Sequence, residues 1–131
     1  MLNYVLVAAG SALGGIARFW ASGIIANRYP SFPWGTLFVN VTGSFIIGFF
    51  ATVTAPEGRW MVGPSGRNFF MTGICGGYTT FSSFSLQTLN LAQEEEWLYA
   101  AGNAVLSLTL CLAAVWLGHV VAEFLTPAKR V

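Results

Sequence analysis

The hydrophobic residues of this chain fall into four long runs, separated by short polar connections. The runs extend over about 3–26, 34–55, 68–92 and 97–124. Each is long enough to cross the hydrocarbon core of a bilayer as a helix, which needs about 20 mostly apolar residues. The pattern predicts an all-α membrane protein of four transmembrane helices, in a single domain that comprises residues 1–131.

The connections between the runs read "NRYPSFP", "PEGRWMVGPSGR" and "QEEE", and they contain most of the charged residues. They are too short to hold a soluble domain. Trp34, Trp60 and Trp97 fall near the predicted helix ends, where aromatic side chains meet the membrane interface. The N-terminus lacks the basic region of a signal peptide, so we expect the first run to be retained as a membrane helix.

Composition narrows the classes of function. The chain is 55% hydrophobic and 8% charged, with a net charge of +1, whereas soluble domains contain about a quarter charged residues. No run of Lys or Arg offers a stripe for a phosphate backbone, which argues against nucleic acid as a partner. Cys75 and Cys111 lie in apolar runs without a CxxC pattern, which favours buried thiols over zinc ligands. With no nucleophile–base pair or phosphate loop, we expect a protein that is not an enzyme.

Polar side chains inside the runs are costly in lipid, so each one needs a reason. Arg18 either extends its guanidinium to the membrane interface or holds an anion or a helix end. Asn40 shares a helical face with Thr36, and this face either forms interhelical hydrogen bonds or lines a polar pathway. Asn103 and Ser107 form a weakly polar stripe on the fourth run. No acidic residue lies deep in a run, which argues against a proton-coupled transporter.

Small residues recur at the spacing of packed membrane helices. Gly10 and Gly14 form one such pair, and Gly73 and Gly77 form another. They allow two backbones to approach closely, either within one chain or between the subunits of an oligomer. The small size of the chain favours an oligomer.

The stretch "GGYTTFSSF", residues 76–84, interrupts the third run with glycines and hydroxyls. Gly76 and Gly77 can leave helical geometry at little steric cost. A break inside the membrane frees backbone groups that need partners. Freed carbonyls suit a hard cation such as Na⁺, while hydroxyls and the positive ring edges of Phe81 and Phe84 suit an anion. The alternative is that both rings pack against lipid or the protein core.

The segment "GGYTTFSSFS" resembles the signature of the Fluc/CrcB family of fluoride ion channels. "GGIARFW", "PWGTLFVNVTGSFIIG" and "AAVWLG" resemble the family's first-, second- and fourth-helix motifs, so the resemblance covers essentially the whole chain. It implies a fluoride-selective channel in the cell inner (plasma) membrane, which lets F⁻ leave passively and so protects against fluoride toxicity. Family members are antiparallel, dual-topology homodimers whose third helix is broken in mid-membrane.

The resemblance also implies roles for individual residues. The fluoride pathway would comprise Asn40, Phe81, Phe84, Thr80, Ser83, Asn103 and Ser107, with Arg18 shaping the vestibule. The backbone carbonyls of Gly76 and Thr79 from both subunits would bind a structural Na⁺ at the dimer interface. Two positions depart from the family pattern, because Gln87 stands where Glu is frequent and Asn103 where Tyr is frequent.

The distribution of charges does not decide between a homodimer and a heterodimer. With a cytoplasmic N-terminus, Arg59, Arg67, Lys129 and Arg130 lie inside and Arg28 outside, which favours one orientation over dual topology. A heterodimer with a paralogue is therefore an alternative to the homodimer. Alternative functions are a small multidrug-type exporter, which should have a Glu within its first helix, and a non-transporting membrane scaffold, which leaves the broken-helix motif unexplained.

Overall fold

The computed structural model describes residues 1–56 and 58–126, and all regular structure within them is helical. Lys129 and Arg130, which the orientation count includes, lie outside the described residues. Within these residues, six α-helices and one π-helical stretch follow one another. They are α1 (Leu2–Arg28), α2 (Trp34–Val53), α3 (Pro64–Arg67), the π-helical stretch Asn68–Cys75, α4 (Gly76–Tyr78), α5 (Phe81–Gln93) and α6 (Trp97–Leu125).

Helices α1, α2 and α6 are long and apolar enough to cross a membrane. They lie over the hydrophobic runs at 3–26, 34–55 and 97–124. The protein is therefore a multi-pass, all-α membrane protein. The run at 68–92 falls on shorter helical pieces, none of which reaches the length of a span alone. A fourth crossing therefore stays a prediction.

The helical path from residue 64 to residue 93 is interrupted at Thr79 and Thr80, which we call the break. Both residues have extended backbone conformations, with φ/ψ of −92°/159° and −154°/115°. The π-helical stretch precedes the break, and such wide turns are frequent at functional sites. Thr80 is the N-cap of α5, since its hydroxyl accepts a hydrogen bond from the Ser83 amide at 3.2 Å. Capping of this kind defines where the second helix begins.

The break lies downstream of the two glycines at which the sequence predicts departure from helical geometry. Gly76 and Gly77 are both helical, within α4. Gly77 instead permits close packing, because an added Cβ would lie 2.5 Å from the carbonyl oxygen of Ser11 on α1. The backbone of α1 occupies the space that a side chain would need. At this position glycine serves helix packing, and the extended residues follow it.

The other small residues also pack helices within the chain. A Cβ on Gly10 would lie 2.5 Å from the Phe69 carbonyl oxygen, so α1 and the π-helical stretch are in backbone contact there. Gly48 of α2 packs against the Val115 backbone of α6, and Gly118 packs back against α2. Intramolecular packing thus accounts for these glycines, as small residues do in membrane helix pairs.

Arg67 connects the polar segment before the π-helical stretch to the end of α2. Its guanidinium donates to the Thr54 carbonyl oxygen at 2.6 Å, to the Thr54 hydroxyl, and to the Ala51 carbonyl oxygen at 3.5 Å. The last carbonyls of a helix lack intrahelical partners and carry partial negative charge. Arg67 therefore caps α2 and fixes the chain that leads into the broken segment.

Candidate functional site

Asn40 of α2 bridges the break. Its Nδ2 donates to the Thr80 carbonyl oxygen at 2.9 Å, and its Oδ1 accepts from the Thr80 amide at 2.7 Å. An extended residue inside a membrane protein cannot satisfy its own backbone groups, so a side chain that supplies both a donor and an acceptor replaces the missing helical bonds. Of the two alternatives for Asn40, a hydrogen bond to a neighbouring segment is present. The second N–H of the Asn40 side-chain amide stays available to another acceptor.

Arg18 extends from α1 to the same break. Its Nη1 donates to the Thr79 carbonyl oxygen at 3.3 Å, while the Thr79 hydroxyl donates back to the Cys75 carbonyl at 2.9 Å. Arg18 is half-buried. Of the alternatives considered for this residue, it holds a helix end, because Thr79 directly follows α4. A cation is favourable at the carbonyl end of a helix.

The break brings two helix ends of opposite polarity together. α4 ends at Tyr78 with its carbonyl groups, and α5 begins at Phe81 with its amide groups. The carbonyl end favours cations and the amide end favours anions. Thr80 and Ser83 add hydroxyls beside the amide end, with their oxygens 3.1 Å apart. One short segment thus presents complementary surfaces for ions of both signs.

Phe81 and Phe84 lie side by side on the first turn of α5. Their ring centroids are 5.2 Å apart, and their planes are inclined by 52°. This is the shared face that a spacing of three residues predicts. Phe81 is 79% exposed within the single chain, whereas Phe84 is half-buried. An exposed ring of this size beside polar groups needs lipid, a second subunit or an ion path as its neighbour.

A cleft of about 550 Å³, which we call the motif cleft, lies between α2, the π-helical stretch, the break, α5 and α6. Its wall is mostly apolar with a few polar groups, as in many ligand sites. Seven of the residues predicted from the sequence line it. They are Asn40, Gly76, Thr79, Thr80, Phe81, Phe84 and Ser107.

A second cleft of about 690 Å³, the arginine cleft, lies between α1, α2 and α5. Arg18, Ser83 and Gln87 line it, and Thr80 lines both clefts. The break therefore separates two open grooves on different sides of α5. The side-chain oxygen of Gln87 is buried, and it has no hydrogen-bond partner among the described residues.

Sequence reasoning missed two hydroxyls of the arginine cleft, those of Ser11 and Ser22. A usable signal was present, because Ser11 precedes Arg18 by seven residues and Ser22 follows it by four. Both spacings return to the same face of a helix. The face that contains Arg18 is thus a polar stripe along α1.

Asn103 and Ser107 of α6 are both buried, but they are placed differently. Asn103 is 1% exposed and is not among the residues that line either cleft, whereas Ser107 lines the motif cleft. The Asn103 amide nitrogen donates to the Thr88 hydroxyl at 2.8 Å, and the Ser107 hydroxyl reaches the Asn103 side-chain oxygen at 3.4 Å. The polar stripe predicted on α6 is present, and Asn103 within it faces α5.

Comparison with known proteins gives consistent matches over nearly the whole chain. Residues 5–119 match the family described as CrcB-like protein, Camphor Resistance (CrcB). The chain is 62% identical over 130 residues to the fluoride-specific ion channel FluC of Opitutus terrae, with 98% of each chain covered. It is 56% identical over 129 residues to FluC of Methylocella silvestris, again with 98% of each chain covered. It is 60% identical over 120 residues to FluC of Rhodospirillum rubrum, with 91% of this chain and 93% of that one covered.

Proposed function

Because the chain belongs to the CrcB-like protein family, we propose that it is a fluoride-selective ion channel that lets F⁻ leave the cell passively and so protects against fluoride toxicity. One observation carries the proposal, namely 62% identity across 98% of the chain to a protein named as a fluoride-specific ion channel. The geometry agrees with it, since the break supplies anion-binding groups to the motif cleft. Passive conduction needs no energy-coupling site.

Fluoride is strongly hydrated, so a pathway for it must replace water with other donors. The amide end of α5, the Ser83 hydroxyl and the second N–H of Asn40 are such donors beside the break, and the Thr80 hydroxyl donates to the Ser83 oxygen. A narrow path lined by hydrogen-bond donors admits a small anion and rejects larger chloride, in the general manner of selectivity filters. The donors are held by the bonds that Asn40 and Thr80 make to each other.

Phe81 and Phe84 complete the pathway through their ring edges. The edge of an aromatic ring carries partial positive charge and the face carries negative charge. Their inclined planes at a centroid distance of 5.2 Å give edges that differ in direction. Ring edges attract a passing anion more weakly than a fixed cation would. The anion is therefore stabilised in the pathway without being bound tightly.

The proposed ligands of a structural Na⁺ are the backbone carbonyls of Gly76 and Thr79. Gly76 and Thr79 both line the motif cleft, and backbone oxygens are the hard ligands that such a cation prefers. The Thr79 oxygen accepts one bond from Arg18 and has a second lone pair. Two carbonyls from each of two subunits would complete the ligand set, and the bound ion would link the subunits electrostatically.

We further propose that residues 64–93 cross the membrane as one broken third helix, and that two chains assemble as an antiparallel, dual-topology dimer in the cell inner membrane. The open form of both clefts and the exposure of Phe81 support a second subunit, which would close the pathways. A heterodimer with a paralogue would cover the same clefts and Phe81. The alternative of a multidrug-type exporter lacks support, because α1 contains Arg18 and no acidic residue.

The direct test is ion efflux from liposomes that contain the purified protein. Fluoride release is read with a fluoride-selective electrode and chloride release is measured in parallel, with protein-free liposomes as the control. We expect rapid fluoride release without chloride release. Equal release of both ions would exclude selectivity, and release of neither from a well-dispersed protein would contradict the homomeric channel and require co-expression with a paralogue.

A further inference from the structure

Thr88 joins α5 to α6 through a directed pair of hydrogen bonds. Its hydroxyl accepts from the Asn103 amide nitrogen at 2.8 Å and donates to the Phe84 carbonyl oxygen at 2.8 Å. Phe84 lies one turn earlier on the same helix, and its ring faces the motif cleft. The polar stripe of α6 is therefore connected to the backbone of a residue that lines the cleft.

Donor and acceptor chemistry fixes the direction of this network. A carbonyl oxygen only accepts, so the single hydroxyl hydrogen of Thr88 belongs to Phe84. Asn103 must then present its NH₂ group to Thr88 and its oxygen to Ser107. If the amide were reversed, Thr88 would face two acceptors with one hydrogen, and one of the two short bonds would be lost.

The burial of Asn103 limits what it offers to an ion. Asn103 is 1% exposed, and a buried amide is normally fully hydrogen-bonded. Its oxygen lies 3.4 Å from the Ser107 hydroxyl, and Asn103 is not among the residues that line the motif cleft.

We infer that Asn103 and Thr88 form an interhelical lock that positions Phe84, and that Asn103 does not contact the permeating ion. The consequence for flux rests on the proposed fluoride conduction, whereas the lock itself does not. Asn103 and Thr88 are positioning residues in this account, and they act on the pathway through the backbone at Phe84.

The test compares Thr88→Val, Thr88→Ser, Asn103→Ala and the double variant Thr88→Val/Asn103→Ala. Thr109→Val is the matched control, because Thr109 is exposed on α6 and bonds only to carbonyls of its own helix. We expect Thr88→Val and Asn103→Ala each to slow maximal fluoride efflux about tenfold, because each removes a buried hydrogen bond and the former strands an amide. The fluoride concentration that gives half-maximal efflux should not change, since no ion ligand is removed.

Thr88→Ser should restore efflux close to that of the unmodified protein, and the double variant should be no slower than the slower single variant. Thr109→Val should stay within about twofold, as surface substitutions usually do. Wild-type efflux in Thr88→Val together with loss in Asn103→Ala, or a shifted half-saturation in Asn103→Ala, would overturn the inference.

A stability measurement separates the lock from the channel proposal. Thermal unfolding midpoints of the unmodified protein, Thr88→Val, Asn103→Ala and the double variant in detergent give a double-mutant cycle that does not depend on conduction. The lock requires non-additive destabilisation by Thr88→Val and Asn103→Ala. Additive effects would refute the lock even if fluoride flux is confirmed, and coupling would support it even if no flux is found.

Discussion

Asn40 satisfies both backbone groups of Thr80, and Thr80 is itself buried at 9% exposure. Asn40→Ala should therefore strand an amide and a carbonyl at the break, at a cost of about 1–3 kcal/mol for each unsatisfied group. We expect a lower unfolding temperature in detergent and strongly reduced fluoride efflux. Thr109→Val is the control, because Thr109 is exposed on α6 and its hydroxyl bonds only to carbonyls of its own helix. Equal behaviour of the two variants would contradict this role of Asn40.

The ring-edge role of the phenylalanines is tested by Phe81→Ile and Phe84→Ile. Isoleucine keeps apolar bulk but has no positive ring edge, so each variant should lose most fluoride efflux while assembly is preserved. Efflux from liposomes and size-exclusion chromatography provide the two readouts. Phe124→Ile is the control, since Phe124 is 85% exposed near the end of α6. Unchanged flux in both pathway variants would show that the rings only pack.

At the residue scale, the sequence identified the groups that surround the break but not all of their bonds. Asn40, Arg18 and the Phe pair were singled out because polar or patterned residues in an apolar run are conspicuous. Thr88 was not, because a single threonine within a helix is common and its partner Asn103 lies 15 residues away in sequence. Hydrogen bonds between helices depend on rotation and register, which periodicity alone does not give.

At the scale of elements, close packing of α1 against α4 depends on Gly77. Gly77→Ala should push α1 away from the break, because its Cβ would lie 2.5 Å from the Ser11 carbonyl oxygen and 2.9 Å from the Ser11 Cα. Backbone atoms cannot move aside cheaply, so we expect destabilisation of about 1–3 kcal/mol, the cost of overpacking. Thermal unfolding in detergent measures it.

The chain supplies a matched control for this substitution in the neighbouring glycine of α1. Gly15→Ala introduces a Cβ with nothing within 4 Å, and it should raise helix propensity without a clash. If Gly77→Ala is as stable as Gly15→Ala, the close approach of α1 to α4 is not tight in the membrane. A difference in the expected direction would locate the strain at the contact with α1.

Element boundaries were predictable for α1, α2 and α6, because each is an uninterrupted apolar helix. The position of the break was not, since glycine marks both flexible backbone and close packing. Only the tertiary contact of Gly77 with Ser11 distinguishes the two uses. The extended residues are the threonines, whose backbone groups find partners in Asn40 and Arg18.

At the scale of the whole molecule, much of the surface is apolar. Large hydrophobic side chains are exposed along α1 and α6, among them Phe19 at 84%, Trp20 at 69% and Trp116 at 64%. Lipid accounts for such a surface, but it does not account for the polar groups within the two clefts. In the predicted dimer, the apolar faces contact lipid and the two clefts contact the second subunit.

Antiparallel assembly makes a prediction that is independent of ion flux. If the chain inserts in both orientations despite the charge bias of its connections, a C-terminal epitope tag should be accessible to protease on each side of the membrane in about equal amounts. The measurement compares intact spheroplasts with inverted vesicles. Substituting Arg59 with Gln, at an exposed position in a connection, should shift the ratio of orientations and lower fluoride efflux together. A tag found on one side only would exclude the antiparallel homodimer, and the clefts would then require an oppositely oriented paralogue to close them.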